Sequence, residues 1–161
     1  TAFLAAFVVS LFENTIAQVV VLAAFLPVLA GQSGNTGCQS LAVTIRALTL
    51  DEFKPGVFRQ VLAKETLLGT LNGAIVGLVA GIAMIAYAIH AGAAEPVTLG
   101  LVVFLAMTGA CVASGMTGVL VPVTLQRLGA DPATASSIFL TTATDVVSMG
   151  LFLWLASLLV L

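Results

Sequence analysis

Asp145 is a carboxylate inside a long apolar run, between Thr144 and Val146. An Asp at the centre of a membrane-inserted helix costs roughly 2.5–3.5 kcal/mol on translocon scales, so such a residue faces a bundle interior or a water-filled path. No Lys or Arg lies at a comparable depth in the sequence. A fixed salt bridge is therefore not at hand, and a bound cation would supply the missing charge. The structural counterpart is an Asp held by hydroxyl and amide donors. Thr141, Thr142 and Thr144 surround it. Thr141 lies one helical turn earlier and shares its face. Threonine hydroxyls bond the carbonyl one turn back, which bends a helix or frees a carbonyl for a ligand. They serve equally as plain packing residues.

A second polar feature is the stretch Gly31 to Ser40, with three glycines and six polar side chains between apolar flanks and Pro27 just ahead. Irregular backbone at membrane depth occurs where it is buried in protein or lines a water-filled cavity. The stretch is therefore expected to unwind, offering carbonyls to a cation or its waters, or to form a re-entrant turn of structural value only. Gly31, Gly34, Asn35, Gly37 and Gln39, with Thr142 and Thr144, are the candidate pore-lining residues.

The other reactive types carry less. Glu13 and Glu95 fall in short loops and are read as solvated, although Glu13 also suits an outer mouth that attracts cations. Asp131 stands just before Pro132, a cap followed by a favoured first helical residue. His90 is the only histidine and has no Cys or His companion for zinc. Cys38 and Cys111 sit in apolar surroundings, form no disulfide framework and are read as small hydrophobes.

These residues need helices to hold them. Hydrophobic residues make up 60% of the 161-residue chain and charged residues 7%, against about 25% charged in a soluble domain. Mean hydropathy is +1.20, so lipid is the expected solvent. The net charge of −2 and the lack of a basic patch argue against nucleic acid as a partner. A spanning helix takes about 20 mostly apolar residues. Thr1 to Leu11 is read as the last part of a first, truncated span, with a turn at Phe12 to Thr15 and more chain expected before Thr1. A second span runs from about Ile16 to Leu50, interrupted by the Gly-rich stretch. Asp51 to Glu65 is read as a charged loop with room for a short interfacial helix. Spans three, four and five are placed at about Thr66–Ile89, Pro96–Leu125 and Pro132 onward. The segments do not alternate apolar with polar as barrel strands do. The class is all-α integral membrane with five transmembrane helices.

Arg46, Lys54, Arg59 and Lys64 flank or fill the second loop, and Arg127 lies in the fourth. The positive-inside rule puts these loops in the cytoplasm. The N-terminus is then cytoplasmic, and Leu161 ends outside a multi-pass cell (inner) membrane protein. Tyr87 and Trp154 fall toward the outer ends, where interfacial aromatics belong. In the third span Gly69, Gly73, Gly77 and Gly81 recur every four residues. We read that glycine face as close helix packing rather than pore lining.

The run from Pro27 to Gln39, with Gly31 and the pattern Gly34-Asn35-x-Gly37-x-Gln39, resembles the second-helix motif of the MgtE family of magnesium channels and their solute-carrier relatives. The likeness continues through Arg46-Ala47-Leu48. Leu128 to Ala133 and Leu140 to Val146 resemble the loop and start of that family's fifth helix. The resemblance implies a homodimer in the lipid bilayer with five helices per subunit, and a pore at the dimer axis lined by helices two and five. It implies that Asp145 is the pore Asp and that Asp131 lies near a magnesium position at the cytoplasmic mouth. Cytoplasmic sensor domains found in many members are not in this sequence. Mg2+ would be both cargo and pore ligand. It keeps several waters while touching one or two carboxylates, which suits one Asp per subunit with Thr141 holding the water shell. Two close carboxylates also favour a divalent cation. The residues leave calcium open as well.

Two rival readings use the same residues. A sodium-coupled divalent cation exchanger would also need a mid-membrane Asp and a broken helix. Gly31-Gln32-Ser33-Gly34 matches the Gly-x-Ser-Gly of rhomboid intramembrane serine proteases. A serine nucleophile needs a base within reach, and the expected topology puts His90 at the opposite surface from the inner half, where Ser33 lies. The chain is therefore read as no enzyme.

Overall fold

The computed structural model describes residues 2–53 and 56–161, Ala135 through its backbone alone. Thr1 and Lys54, both used above, lie outside the described residues. Among those described, every regular element is helical: α1 Ala2–Ser10, α2 Glu13–Gln18, a 3-10 segment Val20–Phe25, α3 Leu26–Thr49, α4 Val57–His90, α5 Pro96–Arg127 and α6 Pro132–Leu159. Three helices, Val57–His90, Pro96–Arg127 and Ser136–Leu159, are long and apolar enough to cross a membrane. At 24 residues α3 matches them in length, but Gly31 to Ser40 dilute its apolar character.

α5 is the central element, with α3, α4 and α6 packed against it. Its buried side is made of small or slender residues, among them Val102, Ala106, Ala110, Cys111, Ser114, Gly115 and Gly118. Lipid tails are as apolar as leucine, so burial alone does not drive helices together in a membrane; close van der Waals contact does. The seam with α4 follows that rule. A Cβ added at Gly73 would lie 2.8 Å from Thr108 Cα, and one at Gly81 would lie 2.8 Å from the Gly100 carbonyl oxygen. Gly69 and Gly77 meet α5 backbone at 2.5 and 3.0 Å in the same construction. The short α1 lies against α6.

Two expectations are overturned. The Gly31–Ser40 stretch does not unwind, because α3 is continuous from Leu26 to Thr49. Of its glycines Gly37 is a contact point in a regular helix, and its backbone bonds stay inside the helix, the economical choice where water is scarce. Pro27 starts this helix rather than breaking it: in the first turn its missing N–H costs nothing. The interruption lies earlier, at Val19, where α2 gives way to 3-10 winding. The expected loop from Asp51 to Glu65 is likewise shorter. α4 begins at Val57 and runs 34 residues, about 51 Å at 1.5 Å per residue, so its first turns extend past a hydrocarbon core of about 30 Å. Arg59, Lys64 and Glu65 are helical.

The ends of α3, α4 and α5 share one cap. Ala130 N bonds the Leu125 carbonyl and Gly129 N that of Gln126, with Gly129 at φ +77°; this is the Schellman arrangement. Gly92 does the same for α4, and Asp51, at φ 55°, for α3.

Candidate functional site

α6 starts where Asp131 caps it. The carboxylate accepts from Ala133 N at 3.0 Å and from the Thr134 hydroxyl. The Thr134 hydrogen bond, then that from Ala133, hold this exposed carboxyl below the usual range. Farther along, Thr134, Thr141 and Asp145, at i, i+7 and i+11, fall on one face of the helix. Thr141 is exposed, Asp145 and Thr142 are partly exposed, and Thr144 is buried. Among the described residues the Asp145 side chain is not in an ion pair, and no group of three or more His, Cys, Asp or Glu forms a metal cage. Asp145 is thus a lone acidic side chain on this face among the described residues.

The threonines have a definite polarity. The Thr141 hydroxyl donates to the Ser137 carbonyl at 3.0 Å and Thr142 to Ile138 at 2.7 Å. With each hydroxyl hydrogen engaged by the helix, only lone pairs remain for a ligand. Such oxygens accept from the waters of a hydrated cation, whose hydrogens point outward. Thr144 donates to the Thr141 carbonyl at 3.1 Å and faces inward.

On α3, Gly31, Asn35 and Gln39 are exposed, together with Cys38 and Arg46, and Gly34 is partly so. A Cβ at Gly31 or Gly34 would meet nothing within 4 Å. Gly37 is different: its Cβ would meet Leu140 Cδ1 at 3.0 Å and Thr144 Cγ2 at 3.2 Å. The two candidate helices therefore touch one residue away from Asp145. α3 also docks on α5, where the Ser40 hydroxyl donates to the Gly115 carbonyl at 2.8 Å.

Ser33 is buried, with its hydroxyl donated to the Ala30 carbonyl at 3.1 Å. His90 is exposed at the far end of α4, and the two share no hydrogen bond. Asn72 and Glu65 were not singled out from sequence. Asn72 Nδ2 donates to Thr36 Oγ1 at 2.9 Å, tying α4 to α3. Glu65 is buried, although it reads as a loop charge. The signal was present: the four-residue spacing of Gly69 to Gly81 extends back to Glu65.

Among the described residues Arg46 and Arg127 lie at one end of the bundle. Arg127 lies over the Phe58 ring at 5.7 Å, and Ile45, Thr49, Gln126 and Asp131 border a common crevice there. Arg46 ends α3 at this same end.

A family model described as MgtE, divalent cation transporter, matches residues 26–155. The magnesium transporter MgtE of Enterococcus faecalis is 33% identical over 150 residues, covering 93% of this chain and 32% of the relative. That of Bacillus subtilis gives the same identity and coverage. The Thermus thermophilus protein of that name is 33% identical over 153 residues, covering 92% of this chain and 31% of its own. The chain spans about a third of the length of the curated relatives it matches. These relatives are named as transporters, not enzymes.

Proposed function

The chain belongs to the MgtE family of divalent cation transporters, and we propose that it conducts Mg2+ along a path lined by α3 and α6 at the axis of a homodimer. The observation that carries this reading is the placement of Asp145: partly open, beside outward-facing threonine lone pairs, on a helix in contact with the polar face of α3. Elsewhere the exposed surface is largely Leu, Ile and Val, as on α4. Gly31, Asn35 and Gln39 would be poorly matched to lipid. A second copy across a two-fold axis covers that face and encloses a polar cleft.

In that cleft two Asp145 carboxylates oppose each other, and a divalent cation neutralises both. Mg2+ dehydrates reluctantly, so the carboxylates attract it while Thr141, Thr142 and Asn35 receive its waters. With α3 helical, side chains rather than unwound carbonyls do this. Five spans follow if α1 is the last part of one spanning helix and the α2–α3 run crosses the bilayer. The basic end then faces the cytoplasm, where exposed Asp131 adds a carboxylate at the mouth.

The test is Mg2+ influx into liposomes carrying the native chain or Asp145→Asn, which keeps size and removes charge. Flux should fall to background in the variant and should need no sodium gradient in the native chain. Equal flux in both would make Asp145 structural and the path wrong, whereas a strict sodium requirement would favour coupled exchange.

A further inference from the structure

A second acidic side chain lies inside the bundle, away from the α3–α6 face. Glu65, on α4, is 6% exposed. Among the described residues it takes no hydrogen bond and no ion pair. It borders a crevice of about 220 Å³ between α3 and α4, together with Thr36, Gln39, Asn72 and Lys64. The crevice exists because α3 and α4 both pack on α5 and scarcely touch each other. At about 30 Å³ per water, it has room for a cation with several waters.

The lining is chemically one-sided. Asn72 gives its amide nitrogen to Thr36, which leaves its oxygen for a ligand. The Thr36 hydroxyl hydrogen is engaged by the Gln32 carbonyl at 3.0 Å, which leaves one lone pair beyond the one that accepts from Asn72. Among the described residues Lys64 is the one cation on the wall. Lys64 is exposed, and among the described residues no ion pair joins it to Glu65. A carboxylate so placed is costly without a counter-charge.

We propose that this crevice is a second cation site, with Glu65 as the anionic ligand and the amide oxygens of Gln39 and Asn72 as neutral ligands for a small hard cation. Oxygen-only ligation suits Na+ or Mg2+ over softer metals. The site uses a different helix pair from the Asp145 path and needs no second copy of the chain, so it does not depend on that path being right.

The test uses the full chain purified in detergent, in an Asp145→Asn background that removes the other intramembrane carboxylate. Melting is followed in NaCl, in MgCl2 and in choline chloride at matched ionic strength. One small cation should raise Tm above choline, and adding Glu65→Gln should abolish that shift; the effective salt names the occupant. A shift that survives Glu65→Gln, or no advantage of either salt over choline, overturns the proposal. If Glu65→Gln does not yield folded protein, Asn72→Leu decides. It should raise the midpoint cation concentration by about tenfold or more, as loss of a ligand-shell partner typically does. An unchanged midpoint would overturn the site.

Discussion

Gly118→Ala tests the way α3 is held. A methyl group on Gly118 would lie 2.7 Å from the Gly37 carbonyl oxygen and 2.7 Å from Ser40 Cβ. The Gly37 oxygen is backbone and Ser40 Cβ is fixed to its own backbone, so neither can swing aside as a side-chain tip could. To reach an ordinary contact of 3.4 Å the helices must part by about 0.7 Å. Overpacking of this kind costs about 1–3 kcal/mol. The same separation stretches the Ser40–Gly115 hydrogen bond, and such interhelical bonds average about 0.6 kcal/mol in a membrane protein. Alanine's better helix propensity returns up to about 1 kcal/mol. The expected net loss is about 1–3 kcal/mol, read as a lower midpoint in detergent-titrated unfolding. Gly31→Ala is the matched control. Its methyl meets nothing within 4 Å, so stability should hold or rise slightly, while Mg2+ flux changes if that face lines the pore. A Gly118→Ala chain as stable as the native one would refute the close α3–α5 approach and the account of what positions α3.

Ser40→Ala removes the α3–α5 hydrogen bond without adding volume. It should destabilise by about 0.6 kcal/mol, at most about 1.7, measured in the same titration. Asp131→Ala should fray the first turn of α6, seen as faster amide exchange at Ala133 and Thr134, and Asp131→Asn should retain most of the cap. Because the folded Asp131 carboxyl is held low, its contribution is full above the unfolded value of about 3.9. It is lost as pH falls through the folded value. Exchange at those amides should therefore rise, relative to its intrinsic rate, only below about pH 4 in the native chain, and Asp131→Asn should lack that rise.

The candidate site was legible to different depths. Asp145 stood out because a charge inside an apolar run has few innocent explanations. The Asp131 cap was legible because a cap is a local contact between neighbours in sequence. The state of Gly31 to Ser40 was not. Glycine and small polar residues both permit unwinding and allow close helix contact. Gly37 is a contact because Thr144 and Leu140 lie opposite, and those residues are more than a hundred positions away. Glu65 was misjudged for a related reason. A run of charges reads as loop when helix propensity is ignored, yet Glu, Lys, Leu and Ala from Val61 to Glu65 are good helix formers.

By itself the sequence determined the class, the three long apolar helices from Val57 onward, the clustering of basic residues and the presence of one misplaced carboxylate. Each follows from the cost of putting a given side chain in lipid, a property of residues counted one at a time. The tertiary structure alone decided that α3 stays helical, that the α4 glycines meet the α5 backbone, and that Glu65 and Asn72 turn toward α3. Those outcomes depend on which helix lies opposite, and in a membrane that choice is made by contacts between small surfaces far apart in the chain rather than by burial of apolar area.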